Sequence, residues 1–136
     1  MVYLTRRERF CAAHRLYDPQ LSDAENEEKY GLCANPNWHG HNYILWVTVK
    51  GEVNPKNGYV VDLKDISSIL RENVISKLDH KNINLEVDFM KDQIVSTENL
   101  AVAIWNEIIE DIHKLDVELH CVKIQETENN SVEYYG

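Results

Sequence analysis

A run of alternating side chains over residues 41–53 constrains the fold more than any other stretch. Tyr43, Leu45, Val47 and Val49 fall on one face, and Ile44, Trp46 and Thr48 on the other. Period-two alternation marks a strand with one face buried, so the chain must build a sheet and cover that face. Two helical patterns supply the cover. Asp62 is suited to cap a helix that ends near Leu78, with Leu63, Ile66, Leu70, Val74 and Leu78 in one apolar stripe. Ser96 or Thr97 caps a second helix, with Glu98 in its first turn and Leu100, Ala101, Ile104, Trp105, Ile108 and Ile112 facing inward.

The remaining segments complete the outline. Residues 2–13 read as a first strand, and residues 18–30 as an acidic surface loop with a short helix near 22–30. Asn54-Pro55-Lys56-Asn57-Gly58 is a turn, and residues 59–61 start a short return strand. Polar loop residues run from Asp79 to about Val95, and two strands, near residues 119–126 and 132–135, close the chain around a turn at Glu128-Asn129-Asn130. The expected class is α+β, one domain over residues 1–136, with a four-stranded antiparallel sheet and two helices on one face. Unpaired edges of such a sheet call for pairing with other copies of the chain.

Composition narrows the function. The 136 residues carry 14 basic and 23 acidic side chains, a formal net charge of −9, which speaks against nucleic-acid or anionic-membrane binding. No apolar run reaches the ~18–20 residues of a membrane span. The three widely spaced cysteines, Cys11, Cys33 and Cys121, form no disulfide pattern, and with no secretory leader in the first residues they point to a reducing, cytoplasmic setting.

His39 and His41 open the alternating strand. Residues two apart project from the same side of a strand, so both imidazoles can aim at one point, with Gly40 adding no bulk between them. His14, at the end of the first strand and preceded by two alanines, is the natural third ligand of a zinc site with an open fourth position. Each histidine alone would pass for an ordinary polar residue. Cys33 could be a further ligand, a nucleophile or a base, whereas Cys11 and Cys121 read as inert thiols. In the loop after the first helix Asp79 can hold the imidazole of His80 in one tautomer. Glu126 ends an apolar strand face, where an inward carboxylate needs hydrogen-bond partners or a ligand. Asp62 and Glu98 serve helix starts, and His113 and His120 read as surface residues.

FCAAHRLY (10–17), LSDAENEEKYGLCANPNWHGHNY (21–43), GEVNP (51–55), LDHKNIN (78–84), VSTENLAVAIW (95–105) and ETENN (126–130) together resemble the 6-pyruvoyl-tetrahydropterin synthase family of the tunnelling-fold (T-fold) group. The resemblance implies zinc on His14, His39 and His41. It also implies a catalytic Cys33 thiolate assisted by Asp79 and His80, Glu126 anchoring a pterin ring, and Ser96 and Thr97 lining the pterin pocket. The implied reaction converts 7,8-dihydroneopterin triphosphate to 6-pyruvoyl-tetrahydropterin with loss of triphosphate. The implied assembly is a hexamer of two stacked trimers whose sheets join into a barrel, with sites between subunits. Arg7, Arg9, Arg15 and Lys81 are candidates for the triphosphate by charge alone. Two departures stand out: Ser96-Thr97-Glu98-Asn99 has one threonine fewer than the family's STTEN, and Trp38 replaces a usual glycine. Three other readings compete: the 6-carboxy-tetrahydropterin synthase of queuosine biosynthesis, a zinc hydrolase, and a non-enzymatic zinc-stabilised pterin-binding oligomer.

Overall fold

The computed structural model describes residues Met1–Gly136. Strand β1 (Val2–His14) lies antiparallel to β2 (His39–Gly51), paired from Val2↔Gly51 to His14↔His39. β2 starts two residues earlier than its alternation alone shows, so both histidines of the pair belong to the strand. β4 (Glu118–Thr127) pairs with the other edge of β2, and β5 (Asn130–Tyr134) folds back on β4.

The sheet differs from expectation in having five strands and mixed direction, in the order β3-β1-β2-β4-β5. The added strand, β3 (Lys81–Asn82), runs parallel to β1 at Ala12 and Ala13. Two polar residues carry no periodicity, so no sequence pattern could reveal it. β3 is therefore antiparallel to β2, the strand before it in the chain, and lies beyond β1 rather than beside β2, so no hairpin joins the two. The return strand expected at 59–61 does not form. Asn54 closes a compact loop instead: its N–H donates to the Tyr59 carbonyl at 2.8 Å and its carbonyl accepts from Gly58 at 2.8 Å. Val60 and Val61 then pack against the core outside any ladder.

Helix α2 (Leu63–Leu70) begins where Asp62 accepts the Lys64 N–H at 2.9 Å. It continues through a π-helical turn, Arg71–Ile75, into α3 (Ser76–Leu78). Ile66, Leu70, Val74 and Leu78 are all buried, whereas Leu63 is exposed. Four-residue steps on an ideal α-helix drift about 40° each. The wider π turn rewinds that drift and keeps the stripe on the sheet. Helix α4 (Thr97–His113) is capped by the Ser96 hydroxyl, which accepts the Asn99 N–H at 3.2 Å. Its apolar side meets Tyr43, Leu45, Val47 and Val49 in one core cluster of 25 buried residues. No helix is long and apolar enough to cross a membrane.

The acidic segment before Cys33 is better ordered than its composition implies. Ser22 and Glu25 form a capping box on α1 (Asp23–Tyr30). Asn26, only 1% exposed, accepts the Asp18 N–H and donates to the carbonyls of Asp18, Leu21 and Ser22. Asn26→Ala strands these backbone groups and should cost about 2 kcal/mol. Urea denaturation reads the loss, with cleavage by a nonspecific protease accelerated within residues 18–30.

Candidate metal centre and active site

The ends of β1 and β2 build the centre. Their register sets His14 opposite His39 and Ala12 opposite His41. The three imidazoles cluster with ring centroids 4.6, 4.9 and 5.1 Å apart. His14, 3% exposed, has its Nδ1 2.8 Å from the Val95 carbonyl, which makes that nitrogen the N–H and leaves Nε2 with its lone pair. Burial pushes His14 below the ordinary imidazole range, and burial followed by the neighbouring His41 does the same to His39.

His14 Nε2, His39 Nδ1 and His41 Nε2 are buried and have no hydrogen-bond partner. One ring nitrogen from each histidine lies within 4.8 Å of the others. Glu126 approaches the same point, Oε1 3.7 Å from His41 Nε2 and Oε2 3.9 Å from His14 Nε2. With His14 neutral, the pair it makes with Glu126 is one acceptor facing another rather than an ion pair. Unpaired acceptors held together out of water are costly unless a cation lies among them. The donor set therefore fits a divalent metal of the borderline class that imidazole and carboxylate bind.

A cavity of about 510 Å³ opens beside the cluster and is lined by His14, Cys33, His39, Ser96, Thr97 and Glu126, among others. Cys33 sits exposed on a short 3₁₀ turn, Gly31–Ala34, with its carbonyl tied to the Leu16 N–H at 2.8 Å. Glu126 falls at a β-bulge between Gln125 and Thr127, where the ladder slips and re-aims the side chain inward. The Thr97 hydroxyl donates to its Oε2. Ser96 spends its own hydroxyl on the helix cap.

Asp79 and His80 lie elsewhere. Asp79 Oδ1 accepts the Cys11 N–H at 2.9 Å and Oδ2 meets His80 Nδ1 at 3.0 Å. The Cys11 N–H, ahead of His80, holds this carboxyl below the usual range. His80 adopts a left-handed backbone (φ 62°), and its side chain is 83% exposed. The pair lines a second cavity, of about 470 Å³, with Arg7, Arg9 and Cys11. Cys11 and His14 are three positions apart on one strand and point to opposite faces. Within one chain, Cys33 lines the first cavity and the Asp79–His80 pair the second. Arg15 stacks over Tyr17 and Trp38, and Lys81 lies 3.8 Å from Glu86. The Val95 carbonyl was not foreseeable, because a backbone atom leaves no sequence signal. Period-two alternation places Tyr43 on the buried face of its strand and gives no sign that its ring meets two of the histidines.

The family model for 6-pyruvoyl tetrahydropterin synthase matches residues 3–136. The human 6-pyruvoyl tetrahydrobiopterin synthase is 44% identical over 133 residues, 98% of this chain and 90% of that protein. The Dictyostelium discoideum enzyme of the same name is 44% identical over 99% of this chain and 96% of its own. The solved Caenorhabditis elegans 6-pyruvoyl tetrahydropterin synthase superposes with a TM-score of 0.93 at 38% identity, covering 99% of this chain and 95% of that one. The chain belongs to the 6-pyruvoyl tetrahydropterin synthase family.

Tyr43 lies edge-on to His14 and His41 and stacks on Phe10 at 4.8 Å. Its hydroxyl is buried without a partner, and burial pushes it well above the ordinary phenol range. Tyr43→Phe removes an unsatisfied group and keeps the ring, so stability should stay within about 1 kcal/mol or rise. Chemical denaturation checks this, and a loss above about 2 kcal/mol would show that the hydroxyl has a partner in solution.

Proposed function

We propose that this chain is a zinc-dependent lyase converting 7,8-dihydroneopterin triphosphate to 6-pyruvoyl-tetrahydropterin with elimination of triphosphate. The observation that carries the reading is a cluster of three unpartnered imidazole nitrogens beside a cavity that a carboxylate and a thiol also line. The chain that holds them matches synthases of that name nearly end to end.

His14, His39 and His41 would hold zinc, which supplies Lewis-acid polarisation of a substrate hydroxyl and so acidifies the adjoining C–H bond. Glu126 accepts two N–H bonds from the amino-pyrimidinone edge of the pterin, oriented by the Thr97 hydroxyl. Cys33, as thiolate, takes a proton from the substrate side chain and returns it on the way to product. His80, steadied by Asp79, is the second proton-transfer group. Because it faces another cavity, it serves the Cys33 of a neighbouring copy.

Such sharing requires assembly, and the sheet has an edge to offer. β1 is paired on its outer side only at Ala12 and Ala13, so most of its length is open for another copy's strand. The proposed assembly is a hexamer of two trimers. Three free cysteines accord with a cytoplasmic, reducing setting.

Zinc-loaded protein incubated anaerobically with 7,8-dihydroneopterin triphosphate should release triphosphate and a pyruvoyl-pterin, identified by mass spectrometry. A carboxy-pterin with acetaldehyde would reassign the product, and no turnover by an intact metal-loaded oligomer would refute the activity. Cys33→Ala should retain one zinc per chain and lose turnover about a hundredfold or more. Oligomers assembled from Cys33→Ala and His80→Ala chains together should recover activity that neither parent shows. Their failure to do so would refute the shared site.

A further inference from the structure

Trp38 has a backbone that its side chain disfavours. Its φ of 66° lies in the left-handed region, where a bulky residue is an outlier unless its surroundings over-determine it. Part of the cause is the turn before it. Trp38 N–H donates to the Asn35 carbonyl at 3.0 Å, and the Asn35 side chain accepts the Asn37 N–H at 2.9 Å. That turn would suit glycine equally well. What glycine could not supply is a surface for Arg15, whose guanidinium carbon lies 4.8 Å from the Trp38 ring centre and 4.2 Å from that of Tyr17.

The position of this stack gives it a consequence. His14 and His39 are the last pair of the β1–β2 ladder, so Arg15 and Trp38 are the first residues beyond it, one on each strand. Ladder ends open most readily, and here the end pair consists of two of the three clustered histidines. Arg15 is anchored on its own side, its N–H and carbonyl each bonded to the Asn84 side chain at 3.0 Å. Tyr17 passes the tether onward through its hydroxyl to Asp23 at the start of α1. The Arg15 guanidinium is in none of the ion pairs of the structure, and both Arg15 and Trp38 are half-buried, which favours attraction to the ring faces.

We propose that Trp38 and Arg15 form a latch across the ends of β1 and β2 that positions His14 and His39, so that the grip of this centre on a divalent metal depends on Trp38. The inference rests on the three-histidine metal reading. The latch accepts a strained residue before His39 in return for a ladder end that stays shut, and groups that orient metal ligands typically govern affinity by 10–100-fold.

The test uses the full chain with Trp38→Gly, which suits the backbone but removes the ring, and Trp38→Phe, which keeps an aromatic face. Zn²⁺ affinity is read by competition with a chromophoric chelator, and ligand geometry by the visible absorption of the Co²⁺-loaded protein. Trp38→Gly should bind Zn²⁺ about tenfold more weakly and shift the Co²⁺ bands. Trp38→Phe should stay within about threefold of the parent. Metal-free melting midpoints should remain within about 5 °C of the parent, since relief of strain opposes loss of stacking. Parental affinity and spectrum in Trp38→Gly, or equal loss in both variants, overturns the latch. A parent chain that binds no Zn²⁺ overturns the metal reading itself, a separate result.

Discussion

The antiparallel ladder between β1 and β2 is the constraint on which the rest of the molecule depends. It runs without interruption from Val2↔Gly51 to His14↔His39. A slip of one residue would turn every side chain of one strand to the other face. Tyr43, Leu45, Val47 and Val49 would then meet water, and His14 would leave the other two histidines. Core burial and the metal centre are set by one register. The hydrophobic penalty for slipping, spread over four large side chains, is what holds three imidazoles at one point.

Around that centre the protein sets two acceptors, His14 Nε2 and the Glu126 carboxylate, close to one another beside two further imidazoles whose inner nitrogens have no partner. The Val95 carbonyl takes the only N–H that His14 has to give when neutral, and Thr97 supplies its hydroxyl to Glu126 rather than to a histidine. Burial keeps His14 and His39 from protonating readily, so self-neutralisation by proton uptake is disfavoured. An arrangement of this sort is unfavourable in isolation and favourable once a cation enters, which is how a preformed ligand set differs from a core histidine with a satisfied ring.

Much of this was legible in the residue order because it rests on local rules. Alternation over 41–53 marked the strand, and the spacing of His39 and His41 placed both rings on one side. Asp62 and Ser96 cap the helices as their chemistry predicts. The illegible parts involve groups brought together from distant positions. The π turn at Arg71–Ile75 looks like ordinary helix in sequence, since its purpose is to re-phase a stripe against a sheet. β3 exists only because a crossover returns two polar residues to the edge of β1.

Residue order alone was enough to establish an amphipathic strand ending in two histidines, two capped helices able to cover it, and a set of motifs matching a known family. These follow from side-chain period, capping chemistry and spacing, each decided within a few residues. Tertiary structure decided that Glu126 turns inward at a bulge, that a backbone carbonyl orients His14, and that Trp38 lies over Arg15. It also put Asp79 and His80 on a different cavity from Cys33. Those outcomes depend on ladder slippage, crossover route and which face of a strand a side chain leaves. Such quantities are settled only when segments far apart in the chain pack against one another.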